Sequence, residues 1–282
     1  AKLLSTPPFL LLLLIYKGIL RMRIKQKNIR IVIAVLFVVS FITLLIGGVN
    51  AAETPNPVIR VGLHYGTGSM DGLNLKNEVG TGFRFGYYEQ NNQFVALGST
   101  EQQAISIALT KNVYYGSYNG YTSYHTALTS SSVAVGAYHL QIPYAYNSFE
   151  QAKANSASFA DGFPAYIDGN FYTRIGNYLT RDEAIAAQIE LEGKGIYTEI
   201  KGTSQYAANV VITGTNTILF QFDDLGKNTG LGVEANQTAG NEKYTTWSKN
   251  CLYYGGFRFE RINGGKLTVV NILTLEDYIR VY

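Results

Sequence analysis

Cysteine is almost missing from this chain: Cys251 is the single one in 282 residues, so no intrachain disulfide can form. A lone thiol with no partner is expected to behave as a small buried apolar residue. Histidine is scarce as well, and the three present (His64, His125, His139) are too scattered to suggest a metal cluster. Charge is low at 15%, with a formal net value of +3, which gives neither the basic footprint of a nucleic-acid binder nor an acidic tail. What the chain has instead is 22 Tyr and 29 Gly, a composition suited to β-rich extracytoplasmic domains with aromatic surfaces. Its length exceeds one ordinary domain, so two or more folded units are expected.

Long apolar runs occur only near the start. Phe9 to Ile15 is too short to span a bilayer. Met22 is followed by Arg23, Lys25, Lys27 and Arg30, then by the apolar run Ile31 to Ile46, the layout of a secretory signal. Val49 and Ala51 satisfy a small-x-small cleavage pattern, so residues 1–21 read as upstream extension and 22–52 as signal peptide. With Gly47 to Val49 included, the run approaches spanning length, and an uncleaved membrane anchor stands as the rival. Both readings leave the basic flank inside and the rest of the chain outside.

The stretch from Tyr138 to Lys201 contains one supersecondary pattern twice. YHLQIPYAYNSFEQAKANSASFADGFPAYIDG is the first copy and FYTRIGNYLTRDEAIAAQIELEGKGIYTEIKG the second. Each opens on an alternating run, continues as a helix and returns to an alternating run after a glycine. Ser148 with Gln151, and Thr180 with Glu183, have capping-box spacing; Gly162 and Gly195 mark the expected helix ends. Alternation assigns Leu140, Ile142, Phe163, Ala165, Ile167, Phe171, Thr173 and Ile175 to a helix-covered face, together with Ile196, Thr198 and Ile200. His139, Gln141, Tyr166, Asp168, Tyr172, Arg174, Tyr197 and Glu199 fall on the opposite, open face. The expected fold class is α+β: a ferredoxin-like, RNP-like βαββαβ module with a four-stranded antiparallel sheet and both helices on one side.

The flanks read as mostly β. Pro55 and Pro57 mark a linker, after which Val58 to Leu63, Gly82 to Tyr88 and Phe94 to Leu97 are strand candidates, and Glu101 to Leu109 a short helix. Asn112 to Tyr124 is a Tyr-, Gly- and Ser-rich connection whose rings either lie over neighbouring strands or offer a sugar-stacking surface. Ala207 to Thr213, Thr217 to Phe222, Leu252 to Ile262 and Lys266 to Ile272 read as strands, the last pair expected to lack neighbours and leave apolar edges. Trp247, the one tryptophan, is either core or an aromatic contact.

On the segments YHLQIPYAY and FYTRIGNYLTRDEA, residues 138–201 resemble a SPOR domain, the sporulation-related repeat. That resemblance implies binding to denuded peptidoglycan glycan strands. VIRVGLHYG and LYYGGFRFERINGGKLTVVNILTLEDYIR resemble the SpoIID/LytB family, so residues 57–137 read as a SpoIID-like N-terminal region and 205–282 as the continuation of that domain. The family likeness implies lytic transglycosylase chemistry by a glutamate in a Gly-Val-Val-Pro-x-Glu-Met segment after LEDY. Leu275 to Tyr282 supplies neither that glycine nor that acid, so the expected catalytic residues are none. Glu276 and Asp277 point in two directions and fall at a helix start, where the dipole favours acids.

The expected function is that of an exported protein in the cell wall or facing outward from the membrane, including at a division or sporulation septum. Its expected partners are glycan strands, the membrane if the N-terminal segment is uncleaved, and other wall or sporulation proteins. Gln141, Tyr172 and Arg174 are the leading glycan contacts, with Tyr144, Tyr166 and Tyr178 at the rim. For Gln141 and Arg174 the alternative is an ordinary solvated sheet face, and for Tyr144 and Tyr178 packing against the helix starts. No cofactor and no metal are implied. Two other functions stay open: an inactive portion of a parent lytic transglycosylase, and an RNA-recognition-like binder, against which the near-neutral charge and the export layout argue.

Overall fold

Alternating apolar and polar residues dominate the chain from Val58 onward, and strands are what they form. The computed structural model describes residues 57–118, 121–125, 133–236 and 246–281, which belong to one compact unit, Asn56–Tyr282. The signal or anchor segment, 22–52, lies outside the described residues. Among the described residues no helix is long and apolar enough to cross a membrane.

The described residues form three sheets. The first contains β1 (Val58–His64), β3 (Phe83–Tyr88), β4 (Phe94–Thr100), β15 (Leu231–Ala235), β18 (Gly256–Glu260) and β19 (Thr268–Thr274), in the order β1-β19-β18-β15-β3-β4. Thus β18 and β19, expected to stand without neighbours, are flanked by β15 and β1. The second sheet has ten strands. Its members are β2 (Gly72–Asn77), β5 (Ala104–Leu109), β9 (Tyr138–Gln141), β10 (Gly162–Ile167), β11 (Asn170–Tyr178), β12 (Glu199–Lys201), β13 (Ala208–Ile212), β14 (Ile218–Asp223), β16 (Thr246–Ser248) and β17 (Cys251–Tyr253). Their order is β12-β9-β11-β10-β14-β13-β5-β2-β16-β17. The third contains β6 (Val113–Tyr118), β7 (Tyr121–His125) and β8 (Val133–Val135).

Alternation fills the space between the first two sheets. Phe83, Phe85, Leu231, Val233, Phe257, Phe259 and Val269 from one meet Leu73, Leu75, Ile105, Ile107, Val210, Phe220 and Phe222 from the other in a single cluster. Phe85 stacks on Phe220 with ring centroids 5.5 Å apart. Residues 101–109, read as a short helix, are strand β5: Ile105, Ile107 and Leu109 enter this core while Ser106 and Ala108 face the other way, a period of two that overrides local helix propensity.

Two helices interrupt the ten-stranded sheet, α1 (Phe149–Ser156) and α2 (Arg181–Glu192). Thr180 and Glu183 form a complete capping box at the start of α2. At α1 the Ser148 hydroxyl accepts from Gln151 N, but the Gln151 side chain reaches one residue further back, to Asn147 N. Gly195, at φ +78, closes α2: Ile196 N donates to Leu191 O and Gly195 N to Glu192 O, the paired bonds of a Schellman end. Gly162 has no such role and is the first residue of β10.

The expected free-standing ferredoxin-like module is overturned. The chain is mostly β, and β12, β9, β11 and β10 are one end of the ten-stranded sheet, continued by β10 pairing in parallel with β14 from Ala165↔Gln221 to Ile167↔Asp223. An edge at β10 would leave a row of backbone N–H and C=O groups unpaired, and β14 satisfies them. The face assignment of β10 is also corrected. Asp168 and Gly169, at φ 46 and 91, make a two-residue turn that pairs Ile167 with Asn170 and hence Phe163 with Arg174 and Tyr166 with Phe171. Phe163 and Ala165 therefore share the Arg174 face, and Tyr166 lies on the opposite one. A one-residue slip inverts every side chain in a strand.

Candidate functional site

The surface first assigned to glycan is a buried layer. Gln141 and Arg174 are 6% and 7% exposed. The face they share with Phe163 is roofed by the third sheet, whose Tyr115 and Val135 join Phe163, Val211 and Ile218 in an apolar cluster. Arg174 Nε donates to Gln141 Oε1 at 3.0 Å, and Nη1 donates to Gln221 Oε1. Gln221 Nε2 in turn donates to Asn209 Oδ1 at 2.7 Å and lies 3.3 Å from His139 Nε2. With His139 Nδ1–H donating to the carbonyl of Gly176 at 2.7 Å, Nε2 is left as the acceptor, which fixes the neutral tautomer.

Burial, then the neighbouring Arg174 charge, hold His139 down at about 3. Burial also lowers Arg174, to about 10, against an opposing pull from Asp223, so the guanidinium stays protonated at neutral pH. These groups make a hydrogen-bonded interior network around a buried cation, in which Asn209 Nδ2 is left without a partner, and a polymer has no access to it.

The remaining expected contacts do not share one surface. Tyr166 stacks on Phe222 with centroids 5.6 Å apart and meets Phe171 edge-on, so it is packing. Tyr178 lies half-buried against Leu140, Ile175 and Ala184 beside α2. Tyr172 is half-buried. Tyr144 alone is open, at 63%, beside Tyr146.

An accessible concave site lies elsewhere, at the mouth of the two-sheet sandwich. Strands β1 and β19 contribute Val61, Leu63, Asn271 and Leu273; β17 and its flanks contribute Asn250, Cys251, Leu252, Tyr253 and Tyr254. The terminal helix α3 (Leu275–Val281) adds Tyr278. The hollow has a volume of about 460 Å³, within the range of small-ligand sites. Register explains the convergence: Val61 and Phe257 flank Asn271 across the sheet, which turns Asn271 and Leu273 toward the interlayer space. Tyr253 packs edge-on against Phe257 at 5.5 Å and anchors the inner wall. Cys251, expected to be buried, is exposed.

Asn271 is the buried polar group of the hollow, at 3% exposure. Its Nδ2 donates to the carbonyls of Tyr254 and Gly256 at 3.0 and 2.8 Å, which uses both amide hydrogens and fixes which way the amide points.

No chain family can be put to this arrangement by likeness. No family model matches the chain, and the searches of curated proteins and of solved structures found no match to it.

Among the described residues that line the hollow there is no carboxylate and no imidazole. Of the two acids nearby in sequence, Asp277 is engaged at the start of α3, where its N–H donates to Thr274 Oγ1 at 3.2 Å and the Thr274 hydroxyl donates to its Oδ2 at 2.8 Å. Glu276 forms an ion pair with Arg280 on the exposed side of that helix. No group of three or more His, Cys, Asp or Glu able to hold a metal occurs among the described residues. Sequence reasoning missed Asn271, Tyr253 and Tyr254 as site residues; the available signal was a tyrosine pair with no alternation between Leu252 and Gly255, where a regular strand ends.

Proposed function

We propose that this chain is an exported cell-wall protein of the SpoIID-like sporulation and wall-remodelling kind, and that it binds peptidoglycan glycan strands at the mouth of its sandwich. The observation that carries the reading is the hollow itself: Tyr253, Tyr254 and Tyr278 surround an apolar floor of Val61, Leu63 and Leu273, with amide groups as the polar element. Sugar rings offer flat C–H faces that lie against aromatic rings, and hydroxyl and acetamido groups that take directional hydrogen bonds. Among the described residues that line the site none carries a charged side chain, which fits a strand stripped of its acidic stem peptides.

The test is retention of the full chain on purified sacculi, before and after amidase treatment. Retention is expected to rise as stem peptides are removed, and to fall in Tyr254→Ala and Tyr278→Ala variants whose thermal midpoint is preserved. Equal retention by all three proteins would refute the assignment to this hollow, and no retention on either kind of sacculus would refute the function.

A further inference from the structure

We infer that a second hollow, independent of the one assigned to glycan, binds a tetrahedral oxyanion of the phosphate class. It lies beside β9, second from one end of the ten-stranded sheet, whereas β17 of the first hollow forms the other end. Lys111 and Asn112 from the β5–β6 turn, Leu179, Thr180 and Arg181 from the β11–α2 junction, and Thr203 beyond β12 line about 380 Å³. The frame behind them is fixed by hydrogen bonds. Asn112 Nδ2 donates to Leu179 O at 2.8 Å and Oδ1 accepts from Ala137 N at 3.0 Å, which ties the turn to β9 and to the start of α2. Next to Lys111, the buried Thr110 hydroxyl donates to Ser204 O at 2.6 Å and holds the loop that carries Thr203.

The charge on this frame is unbalanced. Lys111 and Arg181 are exposed, and neither makes an ion pair among the described residues. Among the described residues that line the hollow there is no carboxylate. Glu183, close by on α2, commits its Oε2 to the N–H groups of Leu179 and Thr180 at 2.9 and 3.4 Å, and Asp182 is exposed outside the lining. Two cations converging on one concavity repel each other, and an entering anion offsets that repulsion. Donors reach the space from three segments: Lys111 Nζ, the Arg181 guanidinium, and the hydroxyls of Thr180 and Thr203. Thr180 Oγ1 accepts from Glu183 N at 3.2 Å, which leaves its hydrogen to donate. A carboxylate presents its two oxygens in one plane, whereas a phosphate presents oxygens in several directions and so suits donors arriving from several sides. The volume is that of a small-ligand site, with room for the carrier of a phosphate group.

The test is calorimetric titration of the full chain, at fixed ionic strength, with inorganic phosphate, a glycerol phosphate oligomer joined by phosphodiesters, and citrate. A phosphate probe is expected to bind at least about tenfold more tightly than citrate. Lys111→Gln and Arg181→Gln should each weaken it by at least about tenfold with an unchanged thermal midpoint. Lys194→Gln, which removes an exposed charge further along α2, should leave it unaltered. Tighter binding of the oligomer marks a polymer-borne phosphodiester as the occupant, and tighter or equal binding of inorganic phosphate marks the free ion; both uphold the site. No binding of either phosphate probe overturns it, as does an equal loss in Lys194→Gln, which is the mark of diffuse surface charge. Citrate binding as tightly as phosphate overturns the phosphate class.

Discussion

Replacing Arg174 by alanine separates a buried structural cation from a glycan contact. The guanidinium donates to Gln141 and Gln221, side chains 6% and 1% exposed, and its removal leaves two buried amide oxygens without donors. A hydrogen bond from a charged donor contributes about 1.5–3 kcal/mol, and truncating one member of a buried polar set commonly costs about 3–5 kcal/mol. Loss of the buried aliphatic stem adds a cavity term, so Arg174→Ala is expected to lower unfolding free energy by about 4 kcal/mol.

Urea unfolding of the full chain, followed by the emission of Trp247, the only tryptophan, measures this. Trp247 lies in β16, toward the opposite end of the ten-stranded sheet, so its response reports cooperative loss and not local rearrangement. Arg174→Met combined with Gln141→Leu should cost less than the sum of the single changes, by about 1–2 kcal/mol, because the Arg174–Gln141 donor and acceptor are removed together, while Gln221 Oε1 loses its donor in the single and the double variant alike. A loss below about 1 kcal/mol for Arg174→Ala, accompanied by weaker retention on sacculi, would refute the buried-network account and restore this face as a binding surface.

His139 makes a prediction about pH. Its folded pKa of about 3 lies below the ordinary value of 6.5, so the unfolded chain takes up the proton first. Its contribution is fully present above pH 6.5 and is lost as pH falls toward 3, at up to about 1.4 kcal/mol per pH unit. His139→Gln should flatten the stability profile between pH 6.5 and 5, while the smaller response of His64, also lowered by burial, persists; an unchanged slope would contradict a neutral buried imidazole. Gly169→Ala should cost about 1 kcal/mol in a thermal melt, because φ is 91 and nothing lies within 4 Å of the added methyl, so the penalty is conformational alone. Thr180→Ala should cost about 1 kcal/mol by removing the hydroxyl that caps α2, with no change in sacculus binding.

Short-range features were legible in the sequence to the extent that backbone chemistry is local. The hydroxyl and glutamate spacing at Thr180 and Glu183 places a helix start, and Gly195 its end, because a cap is satisfied within a few residues. The strand at Val58 to Leu63 follows from alternation alone. The faces of β10 could have been read from Asp168-Gly169, since a two-residue turn fixes register; continuing the alternation through the turn put Tyr166 on the wrong side.

What the sequence by itself determined, then, was the period of each segment and the chemistry of its turns. Which edge each strand meets was decided by tertiary structure, because β10 with β14 and β1 with β19 pair across long separations that no local pattern encodes. The same holds for solvent. Gln141 and Arg174 look like a polar surface because polar residues generally face water. They are interior because a third sheet covers them and Gln221 and Asn209 complete their hydrogen bonds. Conversely, Asn271 and Cys251 come to line one hollow only when the first and last strands of the six-stranded sheet close beside β17. Burial is a property of the assembled layers, and alternation tells a strand it has two faces without telling it which one will be covered.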